Sequence, residues 1–295
     1  RNFNNKIWNA FRLVKGWEID DTIEQPEAAK IAIKWFDNKL SETIEEMDDL
    51  FSKYRLSEAL MLLYKLFWDE FSSWYLELIK PAYQKPIDRT TYQATLSFFD
   101  ALLRLLHPFM PFITEELWQA IAPRKEDESI MIALLPKAKE YNNQFLSDIE
   151  HTKHIISSIR TIRLEKNIPN RDELTLEILG NHNNAYDAAI TKIANLSAIT
   201  LVSEKSVGAA PFMVGTTDFA VPLADNIDVE AELEKMRADL KYQEGFLKSV
   251  QKKLSNERFV QNAKPEIVDN ERKKLADAES KIASLKESIE SLGNR

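Results

Sequence analysis

The sequence predicts a mainly α-helical chain: an antiparallel helical bundle, then a small α/β module, then an antiparallel coiled-coil hairpin. Three observations carry this. Up to Ile121, large apolar residues recur at intervals of three and four, the spacing that gathers them on one face of a helix. From Leu174 to Leu223, short stretches alternate apolar and polar or run apolar between turn residues, as strands do. From Val229 to Leu292 the apolar residues step by alternating fours and threes, the heptad signature. The boundaries drawn from these changes are 1–145 for the bundle, 146–226 for the connecting module and 227–295 for the arm.

Residues 1–17 read as a helix with Phe3, Ile7, Phe11 and Val14 toward a core. The other side shows Asn2, Asn5, Lys6, Asn9 and Arg12, with Leu13 as an apolar residue among them. After Pro26 a second amphipathic helix, 28–50, carries Ile31, Trp35, Leu40, Ile44 and Met47. The central stave is predicted at 54–80, ending at Pro81. An α-helical wheel puts Leu56, Leu60, Leu63, Phe67, Phe71, Trp74 and Leu78 on its core face. Its polar face holds Glu58, Lys65, Asp69 and Ser72, with Leu76 as the misfit. A helix at 89–106, broken by His107-Pro-Phe-Met-Pro111, leads to a further one started by Pro111. Short connections make these an antiparallel bundle.

A short strand is expected at 130–133 and a basic helix at 146–166. Beyond it come a strand at 174–180, a helix at 185–196, and three strands in ITLVS, PFMVG and DFAVPL. The arm is read as two heptad helices joined by about a dozen residues, its seam interrupted at Gln243; its 14 acids and 14 bases give it no net sign.

The composition of 44% hydrophobic and 29% charged residues over 295 suits a soluble globular protein of two or three domains. The longest apolar runs fall short of the ~20 residues a membrane span needs, and no signal peptide is expected. With no cysteine, disulfides and thiolate metal sites are excluded, and a reducing compartment is compatible. Arg1 falls inside a helical pattern, so the chain is expected to be part of something longer.

Nothing in the sequence points to catalysis. Six glycines form no phosphate-binding loop, and His107, His151, His154 and His182 have no ligand partners at metal-site spacing. The net charge of -8 argues against nucleic acid taken alone, but residues 151–171 hold Lys153, Arg160, Arg163, Lys166 and Arg171 against Glu165. Arg160 and Arg163, one helical turn apart, read equally as a solvated face or as phosphate contacts. Leu13 and Leu76 read as ordinary exposed leucines or as platforms for an unstacked RNA base, whose face is apolar and whose edge is polar. The hairpin lysines Lys248, Lys252, Lys253, Lys273 and Lys274 share the ambiguity. The hairpin itself reads as an RNA-binding arm or as a dimerisation arm, with the Gln243 interruption favouring an intramolecular pair.

Taken together, three segments resemble a known family. NFNNKIWNAFR, LYKLFWDEFSSWYLELIKP and LLHPFMPFITEELWQAI are similar to the anticodon-binding helical domain of class I aminoacyl-tRNA synthetases. The tail KKLSNERFVQNAKPEIVDNERKKLADAESKIASL resembles the C-terminal tRNA-binding arm of the valyl-tRNA synthetase family. The resemblance implies binding of valine tRNA at its anticodon and at its outer corner. It implies no catalytic site here, because neither the HIGH-like nor the KMSKS-like signature is present. Attachment of valine, with ATP and magnesium, falls to a catalytic domain outside this chain, its partner in the parent protein. It implies further a cytoplasmic, monomeric protein without membrane attachment. Matched motif to motif, Lys6, Asn9, Arg12, Leu13, Ser72 and Leu76 fall where the family meets the anticodon. On the arm the match gives Lys274, with Lys248 or Lys252 beside Ser249.

Overall fold

The computed structural model describes residues 2–223 and 229–255, without the side chains of 229–236, and scattered positions between 268 and 289. The expected connection at 255–266, Lys273, Leu285 and Leu292 lie outside the described residues, apart from Ser255. Close contacts divide the chain into two units, 1–159 with 182–197, and 160–181 with 198–295.

In the first unit, α1 (Asn2–Lys15) buries Ile7 and Val14, as its spacing predicts, together with Ala10, while Phe3 and Phe11 of the expected inward line are partly buried against the same core. After a two-residue strand β1 (Ile19–Asp20), α2 (Glu27–Ser52) buries Trp35, Phe36, Leu40, Ile44 and Met47. The central stave is α3 (Leu56–Lys65), a π-helical segment Leu66–Tyr75, and α4 (Leu76–Ile79), run end to end. Strand β2 (Ile87–Asp88) leads directly into α5 (Arg89–Leu106), whose N-terminus is capped by Asp88 accepting the Thr91 N–H at 2.8 Å. Pro111 opens α6 (Pro111–Ile121), where the absent N–H costs nothing. The core joins Trp35, Phe36, Phe67, Phe71, Tyr75, Phe98 and Phe99, several of them edge-to-face. Tyr75 donates to Thr95 Oγ1 at 2.8 Å, since the Thr95 hydroxyl itself donates to the Thr91 carbonyl. Burial pushes the Tyr75 phenol well above its ordinary pKa.

The strand expected at 130–133 is instead a 3-10 turn, Ile130–Ile132, because the Ser129 hydroxyl accepts the Met131 N–H and caps it. The segment before α7 (Asn143–Glu165) is fastened to α2 by Lys139–Asp37 at 2.7 Å and Tyr141–Glu45 at 2.6 Å.

The second unit holds a four-stranded sheet in the order β4-β3-β6-β5, from β3 (Leu174–Leu179), β4 (Leu196–Val202), β5 (Ala210–Val214) and β6 (Thr217–Val221). β6 pairs antiparallel with both β3 and β5. These are the strands the alternation predicts. The helix between β3 and β4, α8 (Asp187–Ala194), belongs with the first unit, where it packs on α2 and α4. Last comes α9 (Val229–Leu254). No helix among the described residues is long and apolar enough to cross a membrane.

Candidate nucleic-acid interface

The central stave corrects two expected site residues. Ser72 and Leu76 are not on an outer face: both are buried, Leu76 with 2% of its surface exposed. The cause is the π segment. The buried line runs Ala59, Leu63, Phe67, Phe71, Tyr75, Ile79, in steps of four throughout. At 3.6 residues per turn, each such step drifts by about 40°, so an unbroken α-helix would carry the line round to the opposite side. The wider i→i+5 turn absorbs this drift: the Leu76 N–H reaches back to the Phe71 carbonyl. Residues 72 and 76 are thereby turned into the core. Phe67 and Phe71 are fully buried as expected, but Trp74 is only partly covered, and Leu56 and Leu60 are exposed, because the buried line in α3 passes through Ala59 and Leu63.

α1 keeps the α-helical period, and its outer face stands as expected. Asn9, Arg12 and Leu13 are exposed, and Lys6 lies with its ammonium 5.1 Å from the centre of the Trp68 ring. At the C-terminal end of this face lies a cleft of about 320 Å³, lined by Leu13, Gly16, Trp17, Glu18 and the turn 80–85. Its walls are brought together by the parallel pairing of β1 with β2, Ile19 opposite Ile87 and Asp20 opposite Asp88. The Ile87 N–H donates to the Glu18 carbonyl at 2.8 Å, and Arg89 donates two hydrogen bonds to the Asp21 carboxylate. That bidentate pairing holds the Asp21 pKa below the usual carboxylate range.

Local chain chemistry shapes both walls. A Cβ at Gly16 would meet the Arg12 carbonyl oxygen at 3.1 Å, so glycine lets α1 end close against its last turn. In the opposite wall, the Lys85 N–H bonds the Ala82 carbonyl at 2.9 Å, closing a turn in which Gln84 takes a left-handed φ of 58°. This turn holds Tyr83 out at 89% exposure. The cleft thus combines apolar Leu13, Trp17 and Pro81, an exposed phenol ring, Lys80 and Lys85 as cations, and Glu18 as an acceptor. Such a set can take a flat heteroaromatic ring on its face and satisfy a polar edge and a phosphate. Sequence reasoning found Leu13 and missed Trp17, Lys80, Tyr83 and Lys85. The available signal was a tyrosine inside a polar turn between two prolines, PAYQKP, where a buried role is excluded by the turn itself.

The basic segment 151–171 is a surface patch only in part, since two of its five bases are buried. Lys153 is buried, ion-paired with Glu70 and with Glu150 at 2.7 Å, and sits 4.5 Å from the Trp35 ring centre. Arg163 is also buried: it donates to the Pro169 carbonyl at 3.1 Å and the Asp172 carbonyl at 2.9 Å, pinning the loop that follows α7. Burial lowers its pKa. Arg163 is therefore a staple, which corrects its expected role as a phosphate contact. Arg160 is exposed, on the rim of an open groove with Leu164 and the loop 167–170.

On α9, Lys248 and Lys252 are exposed. Lys274 is exposed and paired with Glu271 at 2.9 Å, while Lys253 reaches the same carboxylate at 3.7 Å. The hydrogen bond from Lys274 keeps the Glu271 pKa low. Among the described residues, no group of three or more His, Cys, Asp or Glu side chains is placed to hold a metal ion.

Comparison with known proteins is consistent with this geometry. Residues 33–178 match the profile of the anticodon-binding domain of tRNA ligase, and 228–293 that of the valyl tRNA synthetase tRNA binding arm. The valine–tRNA ligase of Parabacteroides distasonis is 63% identical over 292 residues, covering 99% of this chain and 33% of its own length. That of Bacteroides thetaiotaomicron is 59% identical over 295 residues, 99% of this chain and 34% of the relative. At greater distance, the valine–tRNA ligase of Bartonella henselae is 33% identical over 307 residues, 96% of this chain and 33% of its own. The chain spans about a third of the length of these relatives. It belongs to the valyl-tRNA synthetase family, corresponding to the C-terminal portion of its members.

Proposed function

We propose that the chain binds valine tRNA at two distant points, so that the catalytic part of a valine–tRNA ligase can attach valine to it with ATP and magnesium. The observation that carries the reading is the cleft at the end of α1, where Leu13, Trp17 and Tyr83 offer apolar faces within reach of Lys80 and Lys85. An anticodon base, unstacked from its loop, would enter this cleft, while Lys6, Asn9 and Arg12 along α1 meet the adjoining backbone.

At the other point, α9 and the described positions between 268 and 289 are read as the two staves of an antiparallel coiled-coil hairpin. In support, Lys253 pairs with Glu271 and Glu244 with Lys286, so positions earlier in α9 meet positions later in the second stave. Val250, Val268, Ala278 and Ile282 are buried along the pair. Lys248, Lys252 and Lys274 are placed on this arm to meet phosphates at the outer corner of the tRNA, and Arg160 is a further phosphate contact. Two weak contacts far apart on a rigid polyanion add their free energies, which offsets the acidic net charge. The protein acts as a monomer in the cytoplasm.

Titration with valine tRNA and a non-cognate tRNA at two salt concentrations tests the reading. Tighter binding of valine tRNA is expected, with a log–log salt slope of about -0.7 to -0.9 per phosphate neutralised. Equal, weak binding of both would refute anticodon reading.

A further inference from the structure

The first turn of α6 and the strap 128–135 that follows this helix carry apolar side chains that the cleft and the arm leave unexplained. Phe112, in the first turn of α6, is 92% exposed; Met131 and Ile132 are each 77% exposed and Leu134 82%, with Leu135 half exposed beside them. These residues are held out by polar pins. Glu115 accepts the Ser129 hydroxyl at 2.6 Å and the Ile130 N–H at 3.3 Å. Gln119 donates to the Glu128 carbonyl at 2.6 Å, and Arg104 donates to the Leu134 carbonyl at 2.7 Å. With Ile130 buried beneath, the strap 128–135 is fixed at both ends while its large side chains face solvent.

Scattered exposed apolar residues need no explanation, but five in one pinned strap and the adjacent helix turn form a patch of the kind that marks an interface. The five side chains carry no charge and no donor, which suits a protein surface and not a polyanion. The family members are about three times as long as this chain. Because the chain corresponds to their C-terminal portion, the remaining polypeptide leads into α1, and α1 packs on α6, the helix that carries Phe112. We infer that the patch of Phe112, Met131, Ile132 and Leu134 is the seat of the ligase polypeptide that precedes α1, docked on the first turn of α6 and the strap that follows this helix. The inference rests on family membership and is independent of how RNA is bound.

Hydrogen exchange at residues 128–136, compared between this chain and the full-length ligase, tests it. Exchange at least tenfold slower in the full-length protein is expected; equal rates overturn the proposal. In the full-length protein, Met131→Glu with Leu134→Glu should abolish that protection, while the same pair in this chain leaves its melting temperature and its affinity for valine tRNA unchanged. If this chain alone sediments as a dimer that the double variant returns to monomer, a second copy is the occupant and the proposal falls. It falls equally if valine tRNA, added to the chain alone, protects the strap.

Discussion

α1 and the central stave present the same puzzle in sequence, a leucine among polar residues, and resolve it in opposite ways. Leu13 is where an α-helical wheel puts it, on the outer face. Leu76 is where only a wider helix puts it, in the core. The two leucines differ in nothing that composition records. What separates them is the helical period upstream, which sets the face of every later residue. A face assignment from a wheel is therefore as good as the assumption of a constant period, and long aromatic helices with buried positions in steady steps of four violate it.

Substitution at the two leucines gives the largest contrast. Leu76→Asp places a carboxylate among packed side chains and should cost on the order of 4 kcal/mol or more, unfolding the first unit in a thermal melt. Leu13→Asp should change stability by less than about 0.5 kcal/mol while weakening valine tRNA binding in a filter assay. Similar melting temperatures for both variants would break the comparison. Next in size, Tyr83→Ala should weaken tRNA binding by about 1–3 kcal/mol, the worth of one stacked base, with no change in melting. A loss of stability instead would make Tyr83 part of the fold. Smaller still is Ser72→Ala. The Ser72 hydroxyl is buried with no hydrogen-bond partner among the described residues, so its removal should be neutral or stabilising by up to about 1 kcal/mol in denaturant titration. Destabilisation would mean that a water or a neighbour satisfies it.

The smallest effect concerns the pairing of Asp21 with Arg89 beside the cleft. Because the Asp21 pKa is lowered in the folded protein, its contribution is present above the unfolded value near ~3.9 and is lost as pH falls through the folded one. Binding through the cleft should thus not vary with pH on account of Asp21 from neutral down to about 4, and Asp21→Asn, which lacks the ion pair at every pH, should bind slightly more weakly there and show no further Asp21-linked loss below it. A pH series of tRNA affinities for both proteins checks this.

Much of the fold was legible because its signals are local. Periodicity located α1, α2, α5 and α6, alternation located β3, and Pro81 and Pro111 marked helix ends. The cleft was only half legible. Leu13 declares itself by polar neighbours in sequence, whereas Lys80, Tyr83 and Lys85 reach it through the pairing of β1 with β2, two residues each, too short to register as strands. The charge of 151–171 misled for a related reason. Summing Lys153 and Arg163 with their neighbours ignores partners distant in sequence, such as Glu70, and carbonyl groups, which carry no formal charge.

The π segment has a consequence for insertions and deletions. A π turn holds more residues than an α turn over the same advance, so the stave contains chain that an ideal helix would not need. Deleting one residue between 68 and 73 would tighten the helix, and by local energy alone would be welcome. Because the deleted residue is the one the wider turn takes up, Leu78 and Ile79 would keep their seats and the turn 80–85 its aim at the cleft. The same deletion within α3, where no turn holds surplus chain, would rotate everything beyond by about 100°. The π segment is thus the one stretch of the stave whose length can change by a residue without moving the loop it delivers.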